Sequence, residues 1–387
     1  MDQIYMDYAA TAPLREAAKE EMLRVEAEAF GNPNSPGPMG SRASREMMEA
    51  RDGLAFMLNV QPREIIYGSG ATEANNQAIQ TGVAYAREKG LLTADQKVHV
   101  VSSEMEHESV LAPLRRLEQA GAIELTLIHP GHDGIVTPDL LRAALRPETG
   151  FVTLMAVNNE VGTIQPVKEL VDLVRQAQGL KRIVFHTDAV QALPHLRFDV
   201  NAWGVDLLSL SAHKFGGPKG VGALVVRAPL AAEPLMFGGP QERGLRPGTL
   251  NVPGIAGLTK ALEEMRLNFH EENERVVANG KALTDALRSL PGVTLTVHPA
   301  DRVPSIIHIT IEGKNSGLLI AQLGRKGISV AAGSACQAGA VEVSHVMGAL
   351  DVPEDRRSGA LRFSIGASTT EEDVHRAVSA LREILES

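Results

Sequence analysis

Between about residue 60 and residue 227, short apolar runs alternate with helical patterns. The runs are EIIYG (64–68), VHVVSS (98–103), IELTLI (123–128), FVTLMAVN (151–158), RIVFHTDA (182–189), DLLSLSA (206–212) and VGALVVR (221–227). Several are apolar nearly throughout and rich in Val, Ile or Leu, as strands buried on both faces must be. The segments between them, such as ATEANNQAIQTGVAYAREKG and PVKELVDLVRQAQG, carry helical spacing. This rhythm predicts an α/β domain built on a mostly parallel sheet. Ligands of such sheets sit beyond the carboxyl ends of the strands.

The rest of the chain follows another pattern. Residues 260–290 and 370–386 read as helices, while SIIHITI (305–311) and ALRFSIG (360–366) read as strands. A smaller α+β domain is therefore expected beside the large one. The expected division is a large domain over residues 15–260 and a small one made of residues 1–14 with 261–387.

Charge and cysteine content narrow the function. The formal net charge is −9 and no Lys/Arg-rich run occurs, so nucleic acid and anionic membrane are poor partners. No apolar run is long enough to span a bilayer. The start, MDQIYMDYAATAP, lacks a basic region and an apolar stretch, so no secretory signal is expected. The single cysteine, Cys336, allows no internal disulfide and no Cys-rich metal site. A cytoplasmic location is the default, and no metal is expected. A lone cysteine is often only a small buried hydrophobe. Its setting here, AAGSACQAG (331–339), is instead rich in glycine and alanine, which suits a loop.

Four segments place chemistry at strand ends. In SGATEANN (69–76), Gly68 and Gly70 open a turn and Thr72 with Glu73 begins a helix, whose free N–H groups suit a phosphate. An ordinary helix cap would use the same residues. In SAHKFGGPKG (211–220), Lys214 follows the strand DLLSLS among Ser211, His213 and a Gly-Gly-Pro turn. A buried lysine with a lowered pKa is what an imine-forming residue needs. In HTDAVQA (186–192), Asp188 ends a strand, where a carboxylate suits the ring nitrogen of a pyridine-type cofactor. His186 reads as structural. In MEHESV (105–110), His107 again stands at a strand end and suits either stacking on a planar cofactor or proton transfer. A phosphate cradle, a lysine, an Asp and a His at one end of one sheet describe a pyridoxal 5′-phosphate (PLP) site better than a nucleotide site.

With these segments in place, the sequence resembles the cysteine desulfurases of the class V aminotransferase family, fold type I, in the branch of the iron–sulfur and nitrogenase-cluster sulfur donors. The resemblance runs through MDYAATAP, GNPNS, SGATEANN, MEHESV, VNNEVG, HTDAVQA, SAHKFGGPKGVGAL, GGPQERGLRPGT, GSACQAG and LRFSIGASTTEED. It implies covalent attachment of PLP through Lys214, a charge partner for the ring nitrogen in Asp188, and a contact from Gln191 to the phenolic oxygen. It implies that His107 stacks on the ring and that Ala71, Thr72, Ser211 and His213 hold the phosphate. Thr249 would reach a phosphate across a homodimer interface, and Asn158 would lie near ring and substrate. Arg362 would bind the substrate carboxylate through its guanidinium fork. Cys336 would accept the sulfur of L-cysteine as a persulfide, leaving L-alanine, and hand it to an acceptor protein such as an iron–sulfur scaffold. A selenocysteine lyase or another PLP enzyme of the same family is the alternative.

Three departures from the family pattern stand out. The segment after GNPNS continues as SPGPMG instead of with a histidine and a polar run. Pro240 replaces the third glycine of the usual triplet before Glu-Arg-Gly. The chain ends at REILES, without the longer tail by which some members dock a scaffold.

Overall fold

The computed structural model describes residues 3–88, 96–177, 182–197, 199–333 and 344–386. The chain opens with β1 (Ile4–Tyr5), α1 (Glu16–Glu28) and α2 (Pro38–Leu58). The repeating part runs β2 (Ile65–Gly68), α3 (Ala71–Glu88), β3 (Val98–Ser103), α4 (Glu108–Gln119), β4 (Ile123–Ile128), α5 (Pro138–Ala144), β5 (Thr149–Thr153), α6 (Val167–Ala177), β6 (Val184–Asp188), α7 (Val200–Trp203), β7 (Leu207–Ser211) and β8 (Gly222–Val226). Beyond it come α8 (Val252–Leu267), α9 (Phe269–Arg288), β9 (Val293–Leu295), β10 (Ile306–Ile311) and α10 (Ser316–Arg325). The last elements are β11 (Ile328–Ser329), α11 (His345–Ala349), α12 (Glu354–Arg357), β12 (Ala360–Ser364) and α13 (Glu371–Glu386).

A seven-stranded sheet in the order β2-β8-β7-β6-β5-β3-β4 forms the centre. β4, β3, β5, β6 and β7 pair in parallel, and β8 is antiparallel to both of its neighbours. The α/β class with a mostly parallel sheet thus matches the expectation from the apolar runs. Neighbouring strand residues point to opposite faces. Phe185 and Leu208 therefore enter the core on one side of the sheet, with Leu170 of α6 and Leu258 of α8. Val184 and Leu207 enter the other, with Ile79 and Val83 of α3. Both faces are covered, which is why these strands had to be apolar throughout.

Two sequence expectations are corrected in detail. The run FVTLMAVN does not stay in the sheet to residue 158: β5 ends at Thr153. Leu154 and Ala156 still donate to the carbonyls of His186 and Asp188. The chain then turns at Asn158, whose Oδ1 accepts the amides of Glu160 and Val161 at 2.8 and 2.9 Å. The helical pattern over 260–290 is two helices. Asn268, at φ −94° and ψ 3°, leaves helical geometry between α8 and α9. α8 also starts upstream of the pattern, where the Asn251 side chain accepts from the Gly254 amide.

The core follows that break. α8 lies in the large core with Val25 of α1 and Leu54 of α2, whereas Leu283 and Leu287 of α9 belong to a separate cluster. This second cluster is built on the antiparallel sheet β12-β10-β9 and includes Leu323 of α10 and Leu381 of α13. Ile4 joins it from the far end of the chain, because β1 pairs in parallel with β11. The departure SPGPMG also has a local explanation. Gly37, at φ 114°, turns the chain and Pro38 takes the first position of α2, where its missing N–H costs nothing.

The height of α3 above the sheet matters because its first turn carries Ala71 and Thr72. Gly82 sets that height. A Cβ placed there would lie 2.3 Å from the ring of Phe151 on β5. Gly82→Val is expected to push α3 off the sheet and to cost about 1–3 kcal/mol, typical of overpacking. The denaturant midpoint reads this; an unchanged midpoint would mean that α3 is free to rise.

Candidate active site

Where β2, β3, β5, β6 and β7 end, a cavity of about 700 Å³ opens. Its floor comes from the strand ends and the turns after them. Asp7, Ala9, Ala10, Thr11, Ala331, Gly333 and Arg362 close it from the side of the smaller sheet. Ala71, Thr72, His107, Asp188, Gln191, Ser211, His213, Lys214 and Arg362, each singled out in the sequence, all line this one cavity.

Lys214 lies in the single turn of 3-10 helix that joins β7 to β8. Its Nζ donates to the carbonyl oxygens of Ala9 and Ala10 at 2.6 and 2.9 Å. Burial, and then the nearby Arg362 guanidinium, lower its pKa from 10.5 to about 8, against the opposing pull of Asp188 and Asp7. Carbonyls accept from a neutral amine as well as from an ammonium, so nothing at this site forces the charged form. His213 is pushed down to about 4, mainly by burial and then by Lys214 and Lys219, so its ring is neutral. Its Nδ1 lies 3.1 Å from Thr11 Oγ1, and its main-chain oxygen accepts from the Ala12 amide. Residues 9–12 are thereby stitched along the Lys214 turn.

Asp188 ends β6. Its Oδ2 accepts from Asn75 Nδ2 at 2.7 Å and its Oδ1 from the Val190 amide at 3.0 Å. Two donors hold this carboxylate at a fixed angle to the cavity. Asn75 Nδ2 also donates to Ser109 Oγ at 2.8 Å. Ser109 Oγ is 2.8 Å from His107 Nδ1, which in addition accepts the Ser109 amide. His107 is therefore both the N-cap of α4 and a ring whose Nδ1 is an acceptor, which leaves the hydrogen of a neutral imidazole on Nε2. One asparagine thus orients both the strand-end acid and the strand-end histidine.

Arg362, on β12, is 3% exposed. Its Nη1 donates to Asn159 O at 2.9 Å and its Nη2 to Asp7 Oδ1 at 2.7 Å. Gln191 Nε2 donates to Ala9 O at 2.8 Å, so this carbonyl serves two cavity residues. Glu106 is buried, and burial raises its pKa well above the ordinary carboxyl range. Its Oε1 accepts from the Met155 amide at 2.7 Å. His186, expected to be structural, is buried between Thr153 Oγ1 and Ser209 Oγ, and burial lowers it to about 3.

Two expected site residues do not line this cavity, and for Thr249, expected to reach a partner's phosphate, that is no contradiction. Asn158 does not present its side chain to the cavity. It is fully buried, with Nδ2 donating to Met105 O at 2.9 Å and Oδ1 holding the turn described above. Its neighbours Val157 and Asn159 line the cavity instead. Thr249 is exposed and is not among the lining residues. Cys336 lies outside the described residues. Asn75, Ser109 and Asp7 are the residues that sequence reasoning missed. The signal for Asn75 is its place one helical turn after Ala71, on the face that meets β6.

The donor set fits PLP. Gly70, Ala71 and Thr72 at the start of α3, with Ser211 and His213, supply the polar edge that a phosphate needs. An oriented carboxylate and a lysine of lowered pKa stand in the same cavity, where the ring and aldehyde of the cofactor require them.

The sequence profile of the family described as Aminotransferase class-V matches residues 4–377. The chain belongs to the class-V aminotransferase family. It is 40% identical over 384 residues to "Cysteine desulfurase IscS" of Methanosarcina thermophila, covering 99% of this chain and 92% of that protein. Among solved structures, a "NifS-like protein" superposes with a TM-score of 0.91 at 32% identity, with both chains covered completely. A structure titled "SspA in complex with cysteine" has a TM-score of 0.77 at 30% identity, covering 95% of this chain and all of that one. The architecture of this chain, expected from the motifs, is that of the NifS-like protein.

The lysine leaves a mark on stability. Its folded pKa of about 8 lies below its ordinary value of 10.5, so between these values the unfolded chain holds a proton that the folded chain has lost. Stability then rises with pH across that window. In the ligand-free chain, Lys214→Met is expected to remove this rise. Urea midpoints of both proteins at pH 7.5 and pH 10 check it, and equal pH responses would contradict the assigned burial.

Proposed function

We propose that this protein is a PLP-dependent cysteine desulfurase that converts L-cysteine to L-alanine and transfers the sulfur to Cys336. The observation that carries the reading is the Lys214 amine, held at about pKa 8 in one cavity with Asp188 and Arg362. Full-length relatives named as cysteine desulfurases support it. When bound, PLP supplies an electron sink for the substrate's Cα.

The chain's own residues do the rest. Lys214 has an appreciable neutral fraction near physiological pH, so its amine serves as nucleophile and then as base. Asp188, fixed by Asn75 and Val190, keeps a proton on the ring nitrogen. Ala71, Thr72, Ser211 and His213 would hold the phosphate, and Gln191 would donate to the phenolic oxygen. His107 offers its ring face for stacking and an Nε2 hydrogen for proton movement. Arg362 takes the α-carboxylate.

The Cys336 thiolate then attacks the substrate sulfur. The Cβ–S bond breaks as an S–S bond forms, Cys336 becomes a persulfide, and Cβ is protonated to the methyl group of alanine. No external oxidant or reductant is consumed. Onward transfer to an acceptor protein, for iron–sulfur assembly or another relay, restores the thiol. A homodimer in which Thr249 reaches a partner's phosphate is part of the same proposal, as is a cytoplasmic setting. Thr249 is exposed, which accords with such a contact. Asn158 acts in this scheme by holding the turn that places Asn159 beside Arg362. The division into residues 15–260 and residues 1–14 with 261–387 is also proposed; the separate apolar cores support two units, with the change of core falling at Asn268 between α8 and α9.

Single turnover of the PLP-loaded protein with L-cysteine, without reductant, tests the reading. Alanine is expected together with the mass of one added sulfur on the chain. Cys336→Ala should keep the cofactor but gain no sulfur, and Lys214→Ala should lose the visible absorbance of lysine-bound PLP. A keto acid product without a mass gain would replace the proposed reaction by transamination or elimination.

A further inference from the structure

The cavity of the cofactor-free chain brings together two basic side chains, one half-buried and one buried. Lys214 and Arg362 line it together, and the guanidinium is one of the causes that lower the lysine's pKa. Asp188 is already bonded to Asn75 and Val190. The remaining carboxylate in the cavity wall is Asp7. Its Oδ1 accepts from Arg362 Nη2 at 2.7 Å, with the Asp7 side chain 24% exposed and that of Arg362 only 4%.

Asp7 is itself firmly placed. Its main chain bridges to Ser364 on β12, and its carbonyl accepts from Tyr5 Oη at 3.0 Å and from the Ala10 amide. Ala9 and Ala10, two and three residues further on, give Lys214 its two carbonyl acceptors. One short stretch of chain therefore touches both cations.

We infer that Asp7 is a positioning residue for the proposed reaction: it splints the Arg362 guanidinium for the substrate α-carboxylate and supplies the counter-charge that Arg362 and Lys214 share. Two ties, to Asp7 and to Asn159 O, fix the plane of the fork. A planar guanidinium binds a carboxylate well only when that plane is aimed. With Asp7 gone, the fork keeps one tie and can rotate about it. The same loss leaves Lys214 facing an uncompensated Arg362, which disfavours its protonated form.

This rests on the desulfurase reading, so the test carries one arm that does not. KM and kcat for L-cysteine are measured for wild type, Asp7→Ala and Asp7→Asn. In parallel, the pH dependence of trace acetylation at Lys214 is followed by mass spectrometry in the cofactor-free chain. Asp7→Ala is expected to raise KM about tenfold, with a smaller fall in kcat, as for a lost charge-assisted hydrogen bond. Asp7→Asn keeps an acceptor for Nη2 and should raise KM less. In both variants Lys214 should become reactive at lower pH. An unchanged KM in Asp7→Ala, or an unshifted Lys214 profile in Asp7→Asn, overturns the inference. If Asp7→Ala does not fold, Asp7→Asn carries both readouts. If wild type fails to consume L-cysteine, the desulfurase reading falls while the acetylation arm still judges Asp7.

Discussion

The Lys214 amine is held by carbonyl oxygens that come from the other end of the chain, and much of the site follows from that contact. For Ala9 and Ala10 to reach it, the N-terminal segment must leave β1, cross the mouth of the large sheet and meet the turn after β7. The Ala12 amide to His213 O and the Arg15 amide to Gly216 O continue the same seam. β1 pairs with β11, and the bridges from Asp7 to Ser364 and from Ala331 to Arg362 tie this path to β12, so it also brings the smaller sheet, and Arg362 with it, over the cavity. A lysine of lowered basicity, an arginine aimed at its substrate and a closed cavity wall are consequences of one chain crossing.

The large sheet is legible in the sequence for a physical reason. Strands covered on both faces need nearly continuous apolar residues, and β3, β6 and β7 coincide closely with their runs. The chemistry at the strand ends is legible as well, since Asp188 closes such a run and Lys214 and His107 come within a few residues after one. Where apolar character outlasts the sheet, the reading overshoots. Leu154 to Val157 are as buried as β5 itself, but they lie beyond its end, in irregular chain that leads to the turn at Asn158. Burial sets the pattern; hydrogen-bond pairing sets the strand, and only the first is written in hydropathy.

The relay residues are a different case. Asn75, Ser109 and Asp7 have no chemistry of their own that a motif would announce. Asn75 matters because α3 crosses β6 where its amide meets Asp188, and Ser109 because α4 starts on a histidine cap. Asp7 lies hundreds of residues from Arg362 in sequence, so only the folded chain pairs them. Asn158 shows the converse. Its motif marks it clearly, yet its amide is consumed in shaping the backbone beside the site. A sequence pattern identifies residues that a site needs without saying whether they act by touch or by support.

The Ala9 carbonyl has one more implication, for how such a site can be dissected and how it can drift. It accepts from both Lys214 and Gln191. No side-chain replacement removes a main-chain oxygen, so scanning mutagenesis passes over the group that receives the lysine. Replacing the peptide linkage itself, for instance by an ester at that bond, is the substitution that addresses it. The same fact frees the side chains of Ala9 and Ala10 to vary over evolutionary time, within the space the wall allows, while the environment of the amine is inherited through the route of the backbone.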